Sequence, residues 1–395
     1  MAELPEIVVT RPEELAECCA HLASQPVFGF DTEFIGESSY HPRLCLVQVA
    51  TPEHLYLLDP LALPSLEPFW ELVANPKYTC VVHAGREEIR MCRQCYGKAP
   101  GNTFDLQVAA GLLGAGYPSG HATLVQQFLR VRLDKGETLT DWARRPLTSH
   151  QVRYAYDDVR YLLPLYERIH GRLAELGRLD WAAEEFHAME RRWLAEDPDL
   201  EPWRRLRGLG GLDRKRLAVV REVYAWREGL ASRLNRPARF LLRDDLVVEV
   251  AKRMPKSERD LAVLRGLPKR DHADLLAAVA KGVATDPDTH PIAVERDNDP
   301  PQVALVTNLL QAVLGAFCAK EKLTPALVAT TSDLKQLVRA MVMEQPPPED
   351  SNLNRGWRSE FVLPVLLEVL EGRRGVRVGD LRTATPFVIE QTKDG

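Results

Sequence analysis

The chain has 395 residues, 45% of them hydrophobic and 27% charged, with a formal net charge of −5; this suits a soluble globular protein too long for one ordinary domain. Seven cysteines argue against a disulfide framework, the N-terminus lacks a basic segment followed by an apolar core, and no apolar run approaches the roughly 20 residues that span a bilayer, so a cytoplasmic protein is expected. The charge is uneven: residues 1–200 carry 19 Lys/Arg against 29 Asp/Glu, residues 201–290 carry 20 against 13, and residues 291–395 carry 12 against 14.

Ile7 to Val9 reads as a short strand, and Pro12 opens a helix through His21 with Glu13 and Glu14 in its first turn. Val27 to Phe34 is an apolar, aromatic-rich strand. Leu44 to Ala50 and His54 to Leu58 are two more, parted by a Thr51-Pro52-Glu53 turn. Ser65 to Ala74 predicts a helix and Thr79 to Val82 a short buried strand. Arg86 to Cys95, Phe104 to Leu112 and Thr123 to Leu129 predict further helices. Cys92 and Cys95 form a lone C-x-x-C with no second pair, which reads as helix packing rather than a zinc site. Strands followed by helices argue for an α/β domain with a mixed sheet.

Thr148 to Leu176 reads as one long helix, N-capped by Thr148 and with Pro164 as a point for a kink. Trp181 to Ala195 reads as a helix leaving the domain, and Asp197-Pro198-Asp199 with Glu201-Pro202 marks a boundary. Residues 203–285 are helical and basic, Thr285 to Pro301 is an Asp- and Pro-rich linker, and residues 302–375 form a second helical set interrupted at Pro346-Pro347-Pro348. The last twenty residues lack strong periodicity and are expected to be disordered. The expected domains are therefore 1–200, 203–290 and 300–376, with a tail over 377–395.

The chemistry concentrates in two fragments. Along a strand, residues two apart point to one side, so Asp31 and Glu33 in Phe30-Asp31-Thr32-Glu33-Phe34 project together among apolar neighbours. Paired carboxylates repel, and a divalent cation relieves the repulsion; taken alone, D-x-E is as well explained by a solvated strand end. Tyr154 and Asp158 are four apart on a helix and share one face. They could hold a metal and a water, although a surface aspartate on an amphipathic helix would look the same.

Together, the stretches DTEF, HAGREEI, DWARRPLT and YAYDDVRYLLPLY resemble, in order and spacing, the three exonuclease motifs of the DEDD superfamily in its tyrosine subgroup. Within it the chain is most similar to the ribonuclease D family, from about Val27 to about Ile169. The resemblance implies a ribonuclease H-like mixed sheet flanked by helices, and a metal-dependent 3′→5′ exoribonuclease. It implies that Asp31, Glu33 and Asp158 hold the first of two divalent ions, Mg²⁺ or Mn²⁺, with Asp31 also reaching the second. It further implies that Tyr154 orients the attacking water. A phenol with a pKa near ~10 is a poor base at neutral pH. One departure stands out: aligned on His83-Ala84-Gly85, the position that is normally aspartate in motif two is Glu88. The added methylene lengthens the reach, so slower turnover or a changed metal preference is expected. Asp105 is read as structural.

The same resemblance places Phe34, Tyr40 and Gln48 along the pocket for the 3′-terminal nucleotides, with Phe34 positioned to wedge against a base; core packing is the alternative. His83 is expected on the substrate side, bracing the loop before Glu88, and Arg144 and Arg145 are candidate phosphate contacts. Residues 210–285, with Tyr224-Ala225-Trp226-Arg227-Glu228, resemble an HRDC domain, and the excess of positive charge there agrees with phosphate binding. Residues 302–375, with Gly356-Trp357-Arg358, resemble a second, divergent HRDC-like domain. The implied partner is RNA with single-stranded 3′ ends, tRNA precursors foremost. Two competing readings are an RNA-binding protein whose nuclease site has decayed at Glu88, and a DNA exonuclease resembling that of the Werner helicase. The second lacks any helicase motif in its support.

Overall fold

The computed structural model describes residues 4–36, 39–133, 140–194, 201–261, 271–292, 299–346, 351–383 and 386–392. They fall into two compact units. One comprises Met1–Glu33, Cys45–Leu194 and Asp299–Gly395, and the other Phe34–Leu44 and Ala195–Asn298.

The first unit opens with β1 (Glu6–Val9) and α1 (Pro12–Ser24), followed by β2 (Val27–Ile35), β3 (Arg43–Ala50) and β4 (Leu55–Leu58). Then come α2 (Glu67–Val73), β5 (Thr79–Val82), α3 (Arg86–Tyr96), β6 (Thr103–Asp105), α4 (Leu106–Gly111) and α5 (His121–Leu124), which runs into a π-turn over Val125–Leu129. The strands form one six-stranded sheet in the order β1-β4-β3-β2-β5-β6. β1 and β4 are parallel, β3 and β4 antiparallel, and β2, β5 and β6 parallel. The mixed sheet expected from the residue pattern is present. Its core is aromatic where β2 meets α2: Phe30 packs edge-on against Phe69 at 5.8 Å and against Trp70 at 6.3 Å, and all three rings are buried.

Two predicted helices differ from the structure. Phe104 begins no helix, because Thr103–Asp105 is the edge strand β6; α4 starts only after Asp105, whose carboxylate caps it by accepting from the Gln107 and Val108 amides. The long helix over Thr148 to Leu176 is two, α6 (Ser149–Arg160) and α7 (Leu162–Glu175), broken at Tyr161 with Pro164 in the first turn of α7. α6 does start with the expected cap, a reciprocal box in which Thr148 Oγ1 accepts from the Gln151 amide while Gln151 Oε1 accepts from the Thr148 amide. α8 (Leu179–Leu194) follows, and the Asp197-Pro198-Asp199 boundary lies outside the described residues.

The C-terminal part of this unit, which follows the helices of the second unit in the chain, is α14 (Pro301–Glu321), α15 (Pro325–Val328), α16 (Thr331–Val342), α17 (Gly356–Phe361), α18 (Leu363–Leu370), β7 (Arg374–Val378) and β8 (Phe387–Gln391). Although no such run was expected, α14 is long and apolar enough by composition to cross a bilayer; its Val303, Leu310, Val313, Leu314 and Cys318 are buried in this unit. β7 and β8, which overlap the stretch expected to be disordered, pair antiparallel. This region is fastened to α8. Glu185 accepts from Trp357 Nε1 at 2.8 Å and pairs with the Arg358 guanidinium, and Trp357 stacks on Trp181 at 4.7 Å.

The second unit holds α9 (Arg214–Leu234), α10 (Ala238–Leu241), α11 (Asp244–Arg253), α12 (Glu258–Leu261) and α13 (His272–Ala284) around Leu217, Val220, Val223, Val247, Val250 and Leu275. α13 crosses α9 closely at Gly282, where a Cβ would lie 2.6 Å from the Val219 Cα. The buried Arg227 guanidinium donates to the Leu242 carbonyl at 3.0 Å and to Asp244 at 2.6 Å. The linker expected over Thr285 to Pro301 contains a short 3₁₀ turn, Pro287–Thr289, and its residues 293–298 lie outside the described ones.

Candidate active site

β2 presents alternate residues to opposite faces: Phe28 and Phe30 go into the core, and Asp31 and Glu33 to the other side. On that other side Gly29 lets α7 approach closely, since a Cβ there would lie 3.0 Å from Leu162. α6, just before α7, thus brings Tyr154 and Asp158 over the strand. α3 brings Glu88 from its first turn, where the helix dipole favours negative charge.

The carboxyl groups act on one another electrostatically. Thr32 Oγ1 donates to Glu88 Oε1 at 2.8 Å, and the Thr32 amide donates to Asp31 Oδ1 at 2.8 Å. Burial, and then the Asp31 charge, push the Glu33 carboxyl up to about 8. Burial, followed by Asp31 and Glu33, pushes Asp158 up to about 9. Burial likewise raises Asp31, and burial with the Asp31 charge raises Glu88 well above the usual carboxylate range. The Tyr154 phenol, hydrogen-bonded to Asp158, is raised by burial and by the charges of Asp158, Glu33 and Asp31, so it stays protonated. Four carboxyls of this kind cannot all ionise without compensating positive charge. The donor set is all oxygen, which fits hard divalent cations.

The structure brings Asp31, Glu33, Glu88, Tyr154 and Asp158 together. Other expected positions are used differently. Arg145 is not presented for phosphate: its guanidinium pairs with Asp59 at 2.6 and 2.8 Å and donates to the carbonyls of Cys45, Trp142 and Arg144. Arg144 is the exposed neighbour of that anchor. Tyr40 and Phe34 belong to the second unit, where the Tyr40 hydroxyl donates to Glu228 at 3.2 Å and its amide to Asn235. Gln48 is fully buried in β3, with both amide atoms lacking hydrogen-bond partners, so it lies in the interior and not on an open pocket wall. His83 is paired with His121 at 5.5 Å between ring centroids. Burial, and then His121, depress its pKa to about 3, so it is neutral. Cys92 is buried and Cys95 exposed, both as free thiols.

One contributor escaped the sequence reading, and another, Asp105, takes the structural role expected of it. Thr32, between the two motif carboxylates, holds Glu88; its small hydroxyl type was the only signal. Asp105 accepts from the Gly85 amide at 2.9 Å and the Ala84 amide at 3.3 Å while capping α4, so it fixes the turn from which α3 and Glu88 start.

The family model for 3′-5′ exonuclease domains matches residues 7–174, and that for the HRDC domain matches residues 216–279. The chain is 34% identical to ribonuclease D of Nitrobacter hamburgensis, over 94% of this chain and 97% of that protein. It is 35% identical to ribonuclease D of Jannaschia sp., over 92% and 95%. The chain belongs to the ribonuclease D family. It is an exoribonuclease with a 3′-5′ exonuclease domain and an HRDC domain. Its fold matches the crystal structure of Escherichia coli RNase D, described as an exoribonuclease involved in structured RNA processing, with a TM-score of 0.81 and 28% identity over 92% of this chain and 98% of that one. The catalytic core of RRP6 from Trypanosoma brucei matches with a TM-score of 0.57 and 25% identity over 72% and 81%. Exonucleases of this family depend on divalent metal, in keeping with the all-oxygen cluster.

Proposed function

We propose that the chain trims structured RNA, tRNA precursors among them, from the 3′ end one nucleotide at a time, using Asp31, Glu33, Glu88 and Asp158 to hold two divalent cations, Mg²⁺ or Mn²⁺. The observation that carries this reading is the mutual electrostatic coupling of Asp31, Glu33 and Asp158, drawn from a strand and a distant helix. Bound there, the cations would supply charge compensation for the attacking and leaving oxygens of an in-line displacement at phosphorus.

The residues themselves do the positioning. Asp31 is the hub, since its charge acts on Glu33, Glu88 and Asp158 alike. Glu88 replaces the shorter aspartate of the motif, and Thr32 and the α3 N-terminus set its longer side chain. The protonated Tyr154 phenol, which donates to Asp158, orients the attacking water through its oxygen and is not its base. Water oxygen bonds to phosphorus as the bond from phosphorus to the leaving 3′ oxygen breaks, and that oxygen takes up a proton. His83 is assigned to the turn before Glu88, and Arg144 to a phosphate.

Residues 1–200 are read as the nuclease domain, 203–290 as the HRDC domain and 300–376 as a second, divergent HRDC-like domain. Seven free cysteines favour a reducing compartment, the cytoplasm. The test is a cleavage assay with Mg²⁺ or Mn²⁺ on 3′- and 5′-labelled single-stranded RNA and DNA. Mononucleotide release from RNA is expected, and Asp31→Ala should abolish it with the circular dichroism spectrum retained. Binding without cleavage in either metal would favour the decayed nuclease instead, and preference for DNA the DNA exonuclease.

A further inference from the structure

The turn joining β3 to β4 carries a second set of donors that the nuclease reading leaves unused. We propose that His21, Glu53 and His54 bind one transition-metal ion of the Zn²⁺ class, which ties the last turn of α1 to this turn.

Each of the three offers one donor atom, and these atoms all lie within 4.8 Å of one another. His21 Nδ1 is hydrogen-bonded to the Tyr56 hydroxyl at 2.7 Å, which fixes the ring and aims Nε2 at Glu53 Oε2, 3.0 Å away. A carboxylate or hydroxyl partner on the far ring nitrogen is the usual support of a metal-binding histidine. The His54 ring meets that of His21 edge-on at 4.9 Å and stacks on Tyr56 at 5.8 Å, so both imidazoles are held in place. His54 Nδ1 is shut off from solvent and has no hydrogen-bond partner, a bare polar atom of the kind a bound ion relieves.

The platform is rigid before any ion binds. Thr51 Oγ1 accepts from the Glu53 and His54 amides at 3.2 and 2.9 Å, and the Thr51 amide and hydroxyl both donate to the His54 carbonyl. Donors around tetrahedral Zn²⁺ sit roughly 3.3 Å apart, close to the His21 to Glu53 separation already present. The Glu53 side chain is 63% exposed and free to adjust. The Gln25 amide, 3.3 Å from the same His21 nitrogen, would have to turn aside. Two imidazoles and one carboxylate favour zinc, copper or nickel over Mg²⁺ or Mn²⁺, so this site selects a different ion from the carboxylate cluster. Three protein ligands leave one position for water.

The experiment uses the full chain, stripped with chelator and dialysed against limiting Zn²⁺ in excess Mg²⁺. One retained equivalent of Zn²⁺ per chain is expected, in the wild type and in Asp31→Asn alike, which separates this site from the nuclease cluster. Glu53→Gln, a change at an exposed side chain, and His54→Gln should each weaken retention at least about tenfold, the size typical of losing even an outer-shell partner. Co²⁺ in place of Zn²⁺ should give a visible absorption band that His54→Gln removes. Failure to retain any equivalent, or retention unchanged in both Glu53→Gln and His54→Gln, overturns the assignment and leaves a plain hydrogen-bond network.

Discussion

At the scale of single residues, the cluster on β2, α3 and α6 is held in a state that burial and like charge disfavour. Glu33 rises from 4.5 to about 8 and Asp158 from 3.8 to about 9 on folding. A carboxyl with a raised folded pKa binds more protons folded than unfolded between those values. Its contribution is therefore complete at low pH and is lost as pH climbs through the window. Chelated protein should melt at progressively lower temperature from about pH 5 to about pH 9, while Mg²⁺, which binds the ionised folded form, should open a widening gap. Thermal melts with and without chelator read this directly; a gap that stays constant with pH would contradict the assignment. Arg145 makes the opposite point. It neutralises Asp59, whose side chain is only 9% exposed, and supports three carbonyls around the segment before α6. Arg145→Ala strands that carboxylate and should destabilise the fold by on the order of 3 kcal/mol, measured by denaturant unfolding; a loss under about 1 kcal/mol would return Arg145 to the list of surface phosphate contacts.

At the scale of elements, the positions that could be read from sequence are those set by local period. Asp31 and Glu33 share a side because β2 is a strand, and Tyr154 and Asp158 share a face because α6 is a helix whose cap, Thr148, is written at its start. What could not be read depends on partners distant in the chain. Asp105 looked like part of a helix, yet it ends an edge strand because β5 pairs with it and the Gly85 turn needs its carboxylate. Tyr40 follows the first motif closely in sequence, but it donates to Glu228 of α9 and to Asn235 at that helix's C-terminal cap, almost two hundred residues on. The close approach of α7 to β2 at Gly29 is likewise invisible without the structure. Gly29→Ala puts a methyl 3.0 Å from Leu162 Cβ and Cδ1, an overpacking of roughly 1–3 kcal/mol. Because α6 precedes α7 directly, the variant should lower kcat more than its modest loss of stability explains. Steady-state kinetics well below the melting temperature test this, and an unchanged kcat would show that α6 is positioned independently of that contact.

For the whole molecule, charge divides the labour. The first 200 residues carry the acidic excess that the cluster needs, and residues 201–290 carry 20 Lys/Arg against 13 Asp/Glu. Within the second unit, the Arg216 guanidinium reaches the Lys252 carbonyl, which gathers Lys215, Arg216, Lys252 and Arg253 where α9 begins and α11 ends. Lys215 and Lys252 are exposed there. Phosphate contacts release counterions, so each one lost should flatten the dependence of log affinity on log salt by about 0.7 to 1. Lys215→Gln with Lys252→Gln should therefore weaken RNA binding at low salt and lower that slope by about 1 to 2, while kcat on a saturating short oligonucleotide stays at the wild-type value. Filter binding across a salt series decides it. An unaltered slope would mean that the basic surface of this unit is solvated and that RNA is held by the nuclease unit alone.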